Sequence, residues 1–336
     1  MNVLDTARIG NTDLTVTRLG FGSAPIGGLY QAVTDEQALA AVDAAWQSGI
    51  RFFDTAPLYG MGDSEARVGR ALKAHSHGDY VLATKVGRLL RRTDVDDPTQ
   101  LQGGESTWKG VPDLSTVYDF SYEGALRSLE ESIERLGIDR VDIVHIHDPD
   151  DAPDEALQGA HKALLKLRDE GVIRAVGAGM NQWQILNRFA HEGGFDCFLL
   201  AGRYTLLDQS ALTELLPTCL EQGISIIAAG VFNSGILAAP DDPNPTYDYG
   251  RATPDILERA RRLDAICRAH QVPLKAAAIQ FPCGHPAVAS VLVGSRSAAE
   301  VKENTAMFAT AIPGDLWLEL KAEGLLPEDA PTPAPA

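Results

Sequence analysis

Four side chains that can handle protons lie at points where an apolar strand gives way to a loop. Asp54 ends the strand in FFDTAPLYG and Tyr59 follows in its loop, while Lys85 ends VLATK and His147 ends VDIVHIH. A tyrosine has a pKa of about 10, and a neighbouring ammonium lowers it by favouring the phenolate. A carboxylate keeps that lysine charged, and a histidine can hydrogen-bond the reacting oxygen. The set predicts proton transfer coupled to hydride transfer at a carbonyl or carbinol carbon.

Each of these side chains also has a plain structural reading, because such a residue at a strand end can be a cap or a surface group. His145 and His147 form an HxH pair, a pattern that binds metal in other barrels. Alternate residues of a strand point to one side, but a metal site needs three or four ligands. The other six histidines fall on predicted helices or helix-to-strand loops. We therefore predict no metal site, and a packing role for His145.

The four strand ends must be brought together, and the rest of the chain predicts a scaffold that does this. Predicted strands alternate with predicted helices from LGFG onward. Eight strands, each followed by a helix, match the (β/α)8 barrel, whose active sites lie where strands end and βα loops begin. The predicted strands cover residues 19–22, 51–54, 80–85, 141–147, 173–178, 197–200, 225–229 and 289–293.

A doubly wound sheet is the alternative for any series of βα units. Its dinucleotide fingerprint GxGxxG is missing, since GFGSAP and GAGMNQ lack the third glycine. We therefore predict one TIM barrel over residues 1–325, with an N-terminal hairpin in RIGNTDLTV and long βα loops at residues 88–120 and 231–253. The tail at residues 326–336 is predicted to be disordered, because it is rich in proline and small residues.

Composition limits the partners. The 336 residues carry a formal net charge of -17, and an acidic surface repels nucleic acid and anionic membranes. The apolar runs are too short to span a bilayer, and the N-terminus does not resemble a signal peptide. The four cysteines show no CxxC or zinc spacing. We expect a cytoplasmic protein with free thiols and a small-molecule substrate; the sequence does not give its oligomeric state.

The sequence resembles the aldo-keto reductases. GIRFFDTAPLYG, ATKVG, DIVHIHDP and GSRSAAEVKEN occur in the family's order over nearly the whole chain. The resemblance implies that Asp54, Tyr59, Lys85 and His147 are the family's catalytic tetrad. DTAPLYG together with AGRYTLLDQ and IHDPDD is most similar to the bacterial aldose 1-dehydrogenases of the L-fucose, D-threo-aldose and L-galactose type, and to pyridoxal 4-dehydrogenase.

The resemblance also implies a nicotinamide cofactor. Asn181 matches the asparagine that holds the nicotinamide amide, beside Met180 in place of the usual serine. The strand-seven aromatic that stacks on the nicotinamide is replaced by Ala229, and Tyr204 does not obviously substitute for it. The strand-six glutamine is replaced by Ala201. The residues after Ala229 that remain candidates for this part of the site are Gly230, Phe232 and Asn233.

The segment GSRSAAEVKEN matches the adenosine-phosphate end of the family's cofactor site. Its candidate residues are Gly294, Ser295, Arg296, Glu300, Glu303 and Asn304. A capped helix is the structural alternative, with Ser297 as N-cap and Glu300 as its capping-box partner; both can hold, because a helix N-terminus also binds phosphate. In GSRSAAE only Arg296 is basic, and Glu300 stands where family members often have a phosphate-binding arginine. We predict a preference for NAD, with NADP possible.

The resulting hypothesis is an oxidoreductase that oxidises an aldose at C1 to the lactone, with reduction of the nicotinamide. Oxidation of pyridoxal and general aldehyde or ketone reduction use the same machinery and stay open. An aromatic-aldehyde pocket would need more stacking side chains than the loops clearly offer. A different class is a non-catalytic barrel that binds nicotinamide and serves as a regulatory subunit. Trp108, in the first long loop, lines the pocket or simply anchors that loop.

Overall fold

Eight parallel strands close into a barrel, which confirms the predicted fold class. The structure is a computed structural model that describes residues 1–92, 100–102 and 105–334. Its strands, in chain order, are β1 (Thr6–Arg8), β2 (Thr15–Thr17), β3 (Leu19–Gly22), β4 (Phe52–Asp54), β5 (Val81–Val86), β6 (Arg88–Arg91), β7 (Leu101–Gln102), β8 (Glu105–Ser106), β9 (Ser115–Tyr118), β10 (Ile143–His147), β11 (Ala175–Met180), β12 (Cys197–Ala201), β13 (Ser225–Ala229), β14 (Thr246–Tyr247), β15 (Gly250–Arg251) and β16 (Val288–Gly294). Around the barrel the order is β3, β4, β5, β10, β11, β12, β13 and β16, and β16 pairs with β3 again.

The helices surround this barrel. They are α1 (Asp35–Gln47), α2 (Asp63–Leu72), α3 (Tyr122–Leu136), α4 (Pro153–Ala156), α5 (Lys162–Asp169), α6 (Trp183–Glu192), α7 (Leu215–Gln222), α8 (Pro254–Ala269), α9 (Leu274–Gln280), α10 (Ala298–Ala309) and α11 (Gly314–Ala322). The capping box predicted for α1 is present, with Thr34 and Gln37 satisfying each other's backbone N–H groups. In the described part of the chain, no helix has the length and apolar character needed to cross a membrane.

The N-terminal hairpin closes one end of the barrel. β1 and β2 pair antiparallel, as predicted. Ile9, Leu14 and Val16 from this hairpin are buried in the same apolar cluster as Phe52 and Ile143 of the barrel strands. This end is therefore filled with side chains, and the polar side chains at the carboxyl ends of the strands face the other end.

Three antiparallel strand pairs lie in the described parts of the long βα loops at the carboxyl ends of the strands. β6 pairs with β9, β7 pairs with β8 within the same loop, and β14 pairs with β15. The segment at residues 88–120 was expected to be loop and instead contains paired strands, because Leu89 and Leu90 of β6 are buried. Within that segment, residues 93–99 and 103–104 lie outside the described residues.

In the last part of the chain one predicted helix begins later than expected, and one helix was not predicted. A helix was expected from Ser210, but α7 begins only at Leu215, since Glu214 has the non-helical angles φ -127° and ψ -64°. α11, which was not predicted, buries Leu316, Trp317 and Leu320. The apolar residues of α11 lie in a short stretch after Pro313, beyond the eighth predicted βα unit. The barrel pattern therefore gives no reason to expect a helix there.

The end of the chain packs on the barrel, which corrects the prediction that residues 326–336 are disordered. Leu326 and Ala330 are buried, and a Cβ atom added at Gly284 would lie 2.6 Å from the backbone of Thr332. These apolar contacts anchor a segment whose overall composition indicates no packing. Residues 335 and 336 lie outside the described residues.

Candidate active site

A buried ion pair links the first two strand ends of the site. β4 and β5 are neighbours in the barrel, so Asp54 and Lys85 extend from adjacent strands. Lys85 Nζ donates to both Asp54 carboxylate oxygens, at 2.9 Å and 2.7 Å, and to the Thr55 carbonyl at 2.9 Å. Burial raises the pKa of Asp54, and the charge of Lys85 opposes that rise. Because an ammonium has three N–H donors, these contacts fix Lys85 in one orientation.

Tyr59 lies over this ion pair, in the turn between β4 and α2. Lys85 Nζ is 4.7 Å from the centre of the Tyr59 ring. The sequence led us to expect a lowered pKa for Tyr59, and the structure shows the opposite. Burial raises this pKa well above its usual range, the carboxylates of Asp54 and Asp148 raise it further, and Arg88 opposes them. Tyr59 therefore keeps its proton at neutral pH in the free protein.

His147 completes the group from the end of β10. Its ring meets the Tyr59 ring edge to face, with centroids 5.9 Å apart and an angle of 89° between the planes. Burial lowers the pKa of His147 well below its usual range, and the charges of Arg88 and Lys85 add to this. A neutral imidazole carries one N–H. Nε2 lies 3.5 Å from Asp148 Oδ2, a carboxylate that favours the proton on Nε2.

His145 lies below this group in the barrel interior. It is fully buried, and both of its ring nitrogens lack a hydrogen-bond partner among the described residues. Burial lowers the pKa of His145 to about 3, so the ring is neutral and packs as predicted. Within the described ranges, no group of three or more His, Cys, Asp or Glu side chains is arranged to hold a metal ion.

Chelation provides a direct test of the prediction that the site uses no metal. Dialysis of the protein against a strong chelator is expected to leave its catalytic rate unchanged, since a metal site needs three or four ligands and the described residues bring no such set together. The measurement is the initial rate before and after dialysis, with zinc added back as a control. Loss of activity on chelation and recovery with zinc would contradict the prediction.

A cavity of about 610 Å³ opens beside these side chains. Tyr59, Lys85 and His147 contribute to its wall, together with Asn181. Its other lining residues include aromatic rings and acids: Tyr30, Trp108, Tyr118, Phe120, Tyr249, Asp148, Asp150, Asp151 and Glu155. Trp108 stacks beside Tyr59, with ring centroids 5.9 Å apart, and so lines the cavity. The cavity therefore offers both hydrogen-bond acceptors and aromatic faces to a small molecule.

Tyr249 is a cavity residue that the sequence reasoning missed. It lies at the tip of the β14–β15 hairpin, where Asp248 and Tyr249 have φ angles of 48° and 62°, the two left-handed positions of a tight hairpin turn. Arg203 holds Asp248 through contacts of 2.9 Å and 3.1 Å. The Tyr249 side chain hydrogen-bonds that of Asn181. Nothing in the local sequence indicates that this turn folds over the cavity.

The residues implied for the nicotinamide end lie together at the ends of β11, β12 and β13. Asn181 Nδ2 donates to the Ala201 carbonyl at 2.9 Å, and Asn233 Nδ2 donates to the Gly202 carbonyl at 3.3 Å. Gly230 has φ 62°, and a Cβ atom there would lie 3.0 Å from Gly202 N. Asn233 Oδ1 is buried without a hydrogen-bond partner among the described residues, so it is an acceptor that suits an amide N–H group.

The residues implied for the adenosine end surround the start of α10. Asn304 Nδ2 donates to Ser295 Oγ at 3.0 Å, while Asn304 Oδ1 is buried and has no partner within the described part of the chain. Lys275, missed by the sequence reasoning, pairs with Glu303 at 2.8 Å and lies 5.6 Å from the Phe232 ring centre. These groups fit a ring that carries an amino group, such as adenine. Lys275 contacts both ends of the implied site, Glu303 at the adenosine end and Phe232 at the nicotinamide end.

Arg296 and Glu300 form an ion pair that the sequence did not predict. Glu300 Oε1 accepts from Arg296 Nη2 at 2.7 Å and from Nε at 3.0 Å. Ser297 caps α10 as predicted, at 3.3 Å from the Glu300 N–H. The predicted capping-box partner is wrong, because the Glu300 carboxylate accepts from the Arg296 N–H at 2.7 Å instead. The charge of Arg296 is thus balanced by Glu300.

Comparison with known proteins assigns the chain to a family. Residues 18–322 match the model of the aldo/keto reductase family. The chain belongs to this family. Its members use nicotinamide cofactors, and the residues at both ends of the implied site fit such a cofactor.

Two similar enzymes have names that bear on the substrate. The chain is 43% identical to a D-threo-aldose 1-dehydrogenase from Pseudomonas sp, over 94% of this chain and 96% of the relative. It is 42% identical to a pyridoxal 4-dehydrogenase from Microbacterium luteolum, over 95% and 97% of the two chains. Among solved structures, an aldo-keto reductase from Bacillus halodurans in its holo form has a TM-score of 0.73 and 25% identity, covering 95% of this chain and 96% of that one.

Proposed function

We propose that the protein oxidises an aldose at C1 to the lactone with NAD. The main support is that one cavity is lined both by Tyr59, Lys85 and His147 and by several carboxylates. These carboxylates include Asp148 and Asp150. Carboxylates accept hydrogen bonds from hydroxyl groups, and a sugar presents many of these. The name of the Pseudomonas relative, D-threo-aldose 1-dehydrogenase, supports the same substrate class.

The proposed roles follow from the geometry. Tyr59 accepts the proton of the anomeric hydroxyl, and His147 donates a hydrogen bond from Nε2 to the same oxygen. Lys85, fixed by Asp54, stabilises the phenolate form of Tyr59, which is the form that accepts this proton. The carbonyl forms at C1 as the C–H bond breaks. A nicotinamide held beside this carbon would supply the acceptor for the hydride that leaves it.

Two groups of residues hold the cofactor in this proposal. Asn181 and Asn233 bind the nicotinamide amide, beside the close backbone approach at Gly230. Asn304 and Glu303 bind adenine, and the backbone at Gly294 and Ser295 leads to the first turn of α10, whose free N–H groups favour phosphate. Arg296 is paired with Glu300, and Lys275 with Glu303. The two cations at the implied adenosine end are therefore balanced by two carboxylates, which supports NAD over NADP.

Oxidation of pyridoxal is the second candidate, and one observation favours it more than the sequence did. Besides Tyr59, five aromatic rings line the cavity, those of Tyr30, Trp108, Tyr118, Phe120 and Tyr249. The expectation that the loops offer few stacking side chains was wrong. Tyr249 comes from the β14–β15 hairpin, whose folding over the cavity the sequence does not reveal, and Trp108, from the long loop between β6 and β9, stacks beside Tyr59. A non-catalytic nicotinamide-binding barrel is the proposal from a different class.

One assay separates these functions. The purified protein is incubated with NAD or NADP and, in turn, L-fucose, D-arabinose, L-galactose and pyridoxal, while the absorbance of the reduced cofactor is followed. The proposal requires turnover of at least one aldose, with a larger kcat/KM than for pyridoxal. A higher kcat/KM for pyridoxal would select the second candidate. Cofactor binding without turnover of any substrate would favour the regulatory class.

The pH dependence of the reaction tests the role of Tyr59. Because burial and nearby carboxylates raise the pKa of Tyr59, only a small fraction is phenolate at neutral pH. That fraction grows about tenfold per pH unit below the pKa. We expect kcat/KM for aldose oxidation to rise from about pH 6 to about pH 9, while aldehyde reduction, which uses the protonated phenol, stays nearly flat near neutral pH. An oxidation rate that falls as the pH rises would contradict this role.

A further inference from the structure

A charged pair forms part of the cavity wall next to His147. Arg88, three residues after Lys85, and Asp148, directly after His147, meet at 2.6 Å between Nη2 and Oδ2. The Arg88 side chain is 3% exposed, and its guanidinium carbon lies 4.6 Å from the centre of the Tyr118 ring. A buried guanidinium held on an aromatic face and on a carboxylate has little freedom. Asp148 is thus fixed in the wall by a rigid partner.

The backbone at Asp148 is also unusual. Its φ angle is 44°, in the left-handed region, and its N–H donates to the Gly179 carbonyl at 3.0 Å. A residue other than glycine is uncommon in this region, and such positions cluster at functional sites. The conformation turns the chain at the cavity rim. It places the carboxylate of Asp148 in the same cavity as the His147 ring.

The distance between the two side chains suggests what the carboxylate can do. His147 Nε2 and Asp148 Oδ2 are 3.5 Å apart. Oxygens on neighbouring carbons of a sugar are separated by a similar distance. When one such oxygen accepts from His147 Nε2, its neighbour can donate to Asp148. A carboxylate has about four lone-pair sites, so it can accept from a hydroxyl while it is held by Arg88.

We propose that Asp148, positioned by Arg88, binds the hydroxyl on the carbon next to the one that is oxidised. The protein then selects substrates that carry a hydroxyl at this α position, such as 2-hydroxy aldoses. A site built to hydrogen-bond a substrate hydroxyl discriminates against the analogue that lacks it, because the charge-assisted hydrogen bond to the carboxylate is then lost. This inference rests on the proposed oxidation at C1 and adds the group that selects the substrate.

The proposal is tested by measuring kcat/KM for two substrates with two proteins, the wild type and Asp148→Asn. D-Arabinose and 2-deoxy-D-ribose differ only in the hydroxyl at C2. In the wild type, kcat/KM is expected to be about 10- to 100-fold higher for D-arabinose, the range of a hydrogen bond to a charged group. In Asp148→Asn this ratio should fall at least about fivefold, mainly through D-arabinose. Asparagine tolerates a positive φ well, so the variant keeps the turn.

The ratio of kcat/KM for D-arabinose and 2-deoxy-D-ribose shows whether Asp148 binds the substrate hydroxyl or has only a structural role. If Asp148 only orients His147, the substitution lowers kcat/KM equally for both sugars and the ratio does not change, which would overturn the proposal. The charge of Asp148 also raises the pKa of Tyr59, so the pH profile of the variant should move to lower pH for both sugars. Taking the ratio at each pH removes that effect. Asp154→Asn, an exposed carboxylate paired with Arg188, is the matched control and should leave the ratio unchanged.

Failure of the proposed function gives a different result. If neither sugar is oxidised, aldose oxidation is wrong, and the same comparison is run on the reduction of 2-hydroxypropanal and propanal. A preference of the wild type for 2-hydroxypropanal that Asp148→Asn removes supports the role of Asp148 without an aldose. If the wild type converts either the two sugars or the two aldehydes with equal kcat/KM for both members of that pair, the proposal is overturned.

Discussion

Replacing Tyr59 by phenylalanine is expected to lower kcat at least ~10²-fold, the usual contribution of a general acid–base group. The substitution removes the hydroxyl that exchanges a proton with the substrate and keeps the ring that lies 4.7 Å from Lys85 Nζ and 5.9 Å from the Trp108 ring. The packing of the cavity wall should therefore persist. The loss is expected in both directions, because the same hydroxyl serves oxidation and reduction.

Two measurements accompany the rate. Binding of the reduced cofactor, followed by quenching of protein fluorescence, should have nearly the same Kd in Tyr59→Phe as in the wild type. Tyr122→Phe, at the start of α3 and away from the cavity wall, is the matched control for loss of a phenol and should retain normal kcat. Near-normal turnover in Tyr59→Phe would remove Tyr59 from the mechanism, whatever the substrate.

The strand ends of the site could be predicted from the sequence because their signals are local. Asp54, Lys85 and His147 each close an apolar run, and a parallel barrel brings such positions to one rim. The cap of α1 could be read in the same way, since Thr34 and Gln37 are three residues apart. Each of these features depends on neighbours along the chain or on the repeat of the fold.

The residues that shape the cavity could not be found in this way. Tyr249 reaches Asn181 from a hairpin that is about seventy residues further along the chain, and Asp148 meets Arg88 across sixty residues. Such contacts depend on how loops fold over the rim, which periodicity does not encode. The pKa of Tyr59 was misjudged for a related reason. The sequence indicates the attraction of the Lys85 ammonium, which lowers this pKa, but burial by the surrounding loops raises it and has the larger effect.

Glu300 shows that a residue in a correctly predicted helix cap can make a contact that the capping motif does not predict. The spacing from Ser297 to Glu300 predicts a capping box, and Ser297 does cap α10. The carboxylate nevertheless turns to Arg296, because a guanidinium offers a charge-assisted pair that is stronger than a neutral backbone N–H. The prediction that NAD is preferred now has a physical basis, since the only arginine of this segment is already neutralised.

The substitution Glu300→Arg is therefore expected to move the cofactor preference toward NADP. It removes the partner of Arg296 and adds a second guanidinium, and Lys275 is close enough to lower the pKa of the present Glu300 carboxylate. In the wild type, Arg296 and Lys275 are balanced by the carboxylates of Glu300 and Glu303. In the variant, these two cations and the new arginine would be balanced by Glu303 alone. A charged hydrogen bond to the 2′-phosphate contributes about 1.5–3 kcal/mol, which corresponds to a rise of about 10- to 100-fold in the NADP-to-NAD ratio of kcat/KM.

The measurement compares kcat/KM for both cofactors in the wild type and the variant, together with the Kd of each cofactor from fluorescence quenching. The two Kd values report binding even if turnover is slow. Glu130→Arg makes the same charge change at an exposed position of α3, which packs beside β5, and controls for the general effect of net charge; its ratio should match that of the wild type. A wild type that already prefers NADP would show that the pair of Arg296 and Glu300 opens to receive the phosphate. Unchanged Kd values in Glu300→Arg would place the 2′ position of the ribose away from α10.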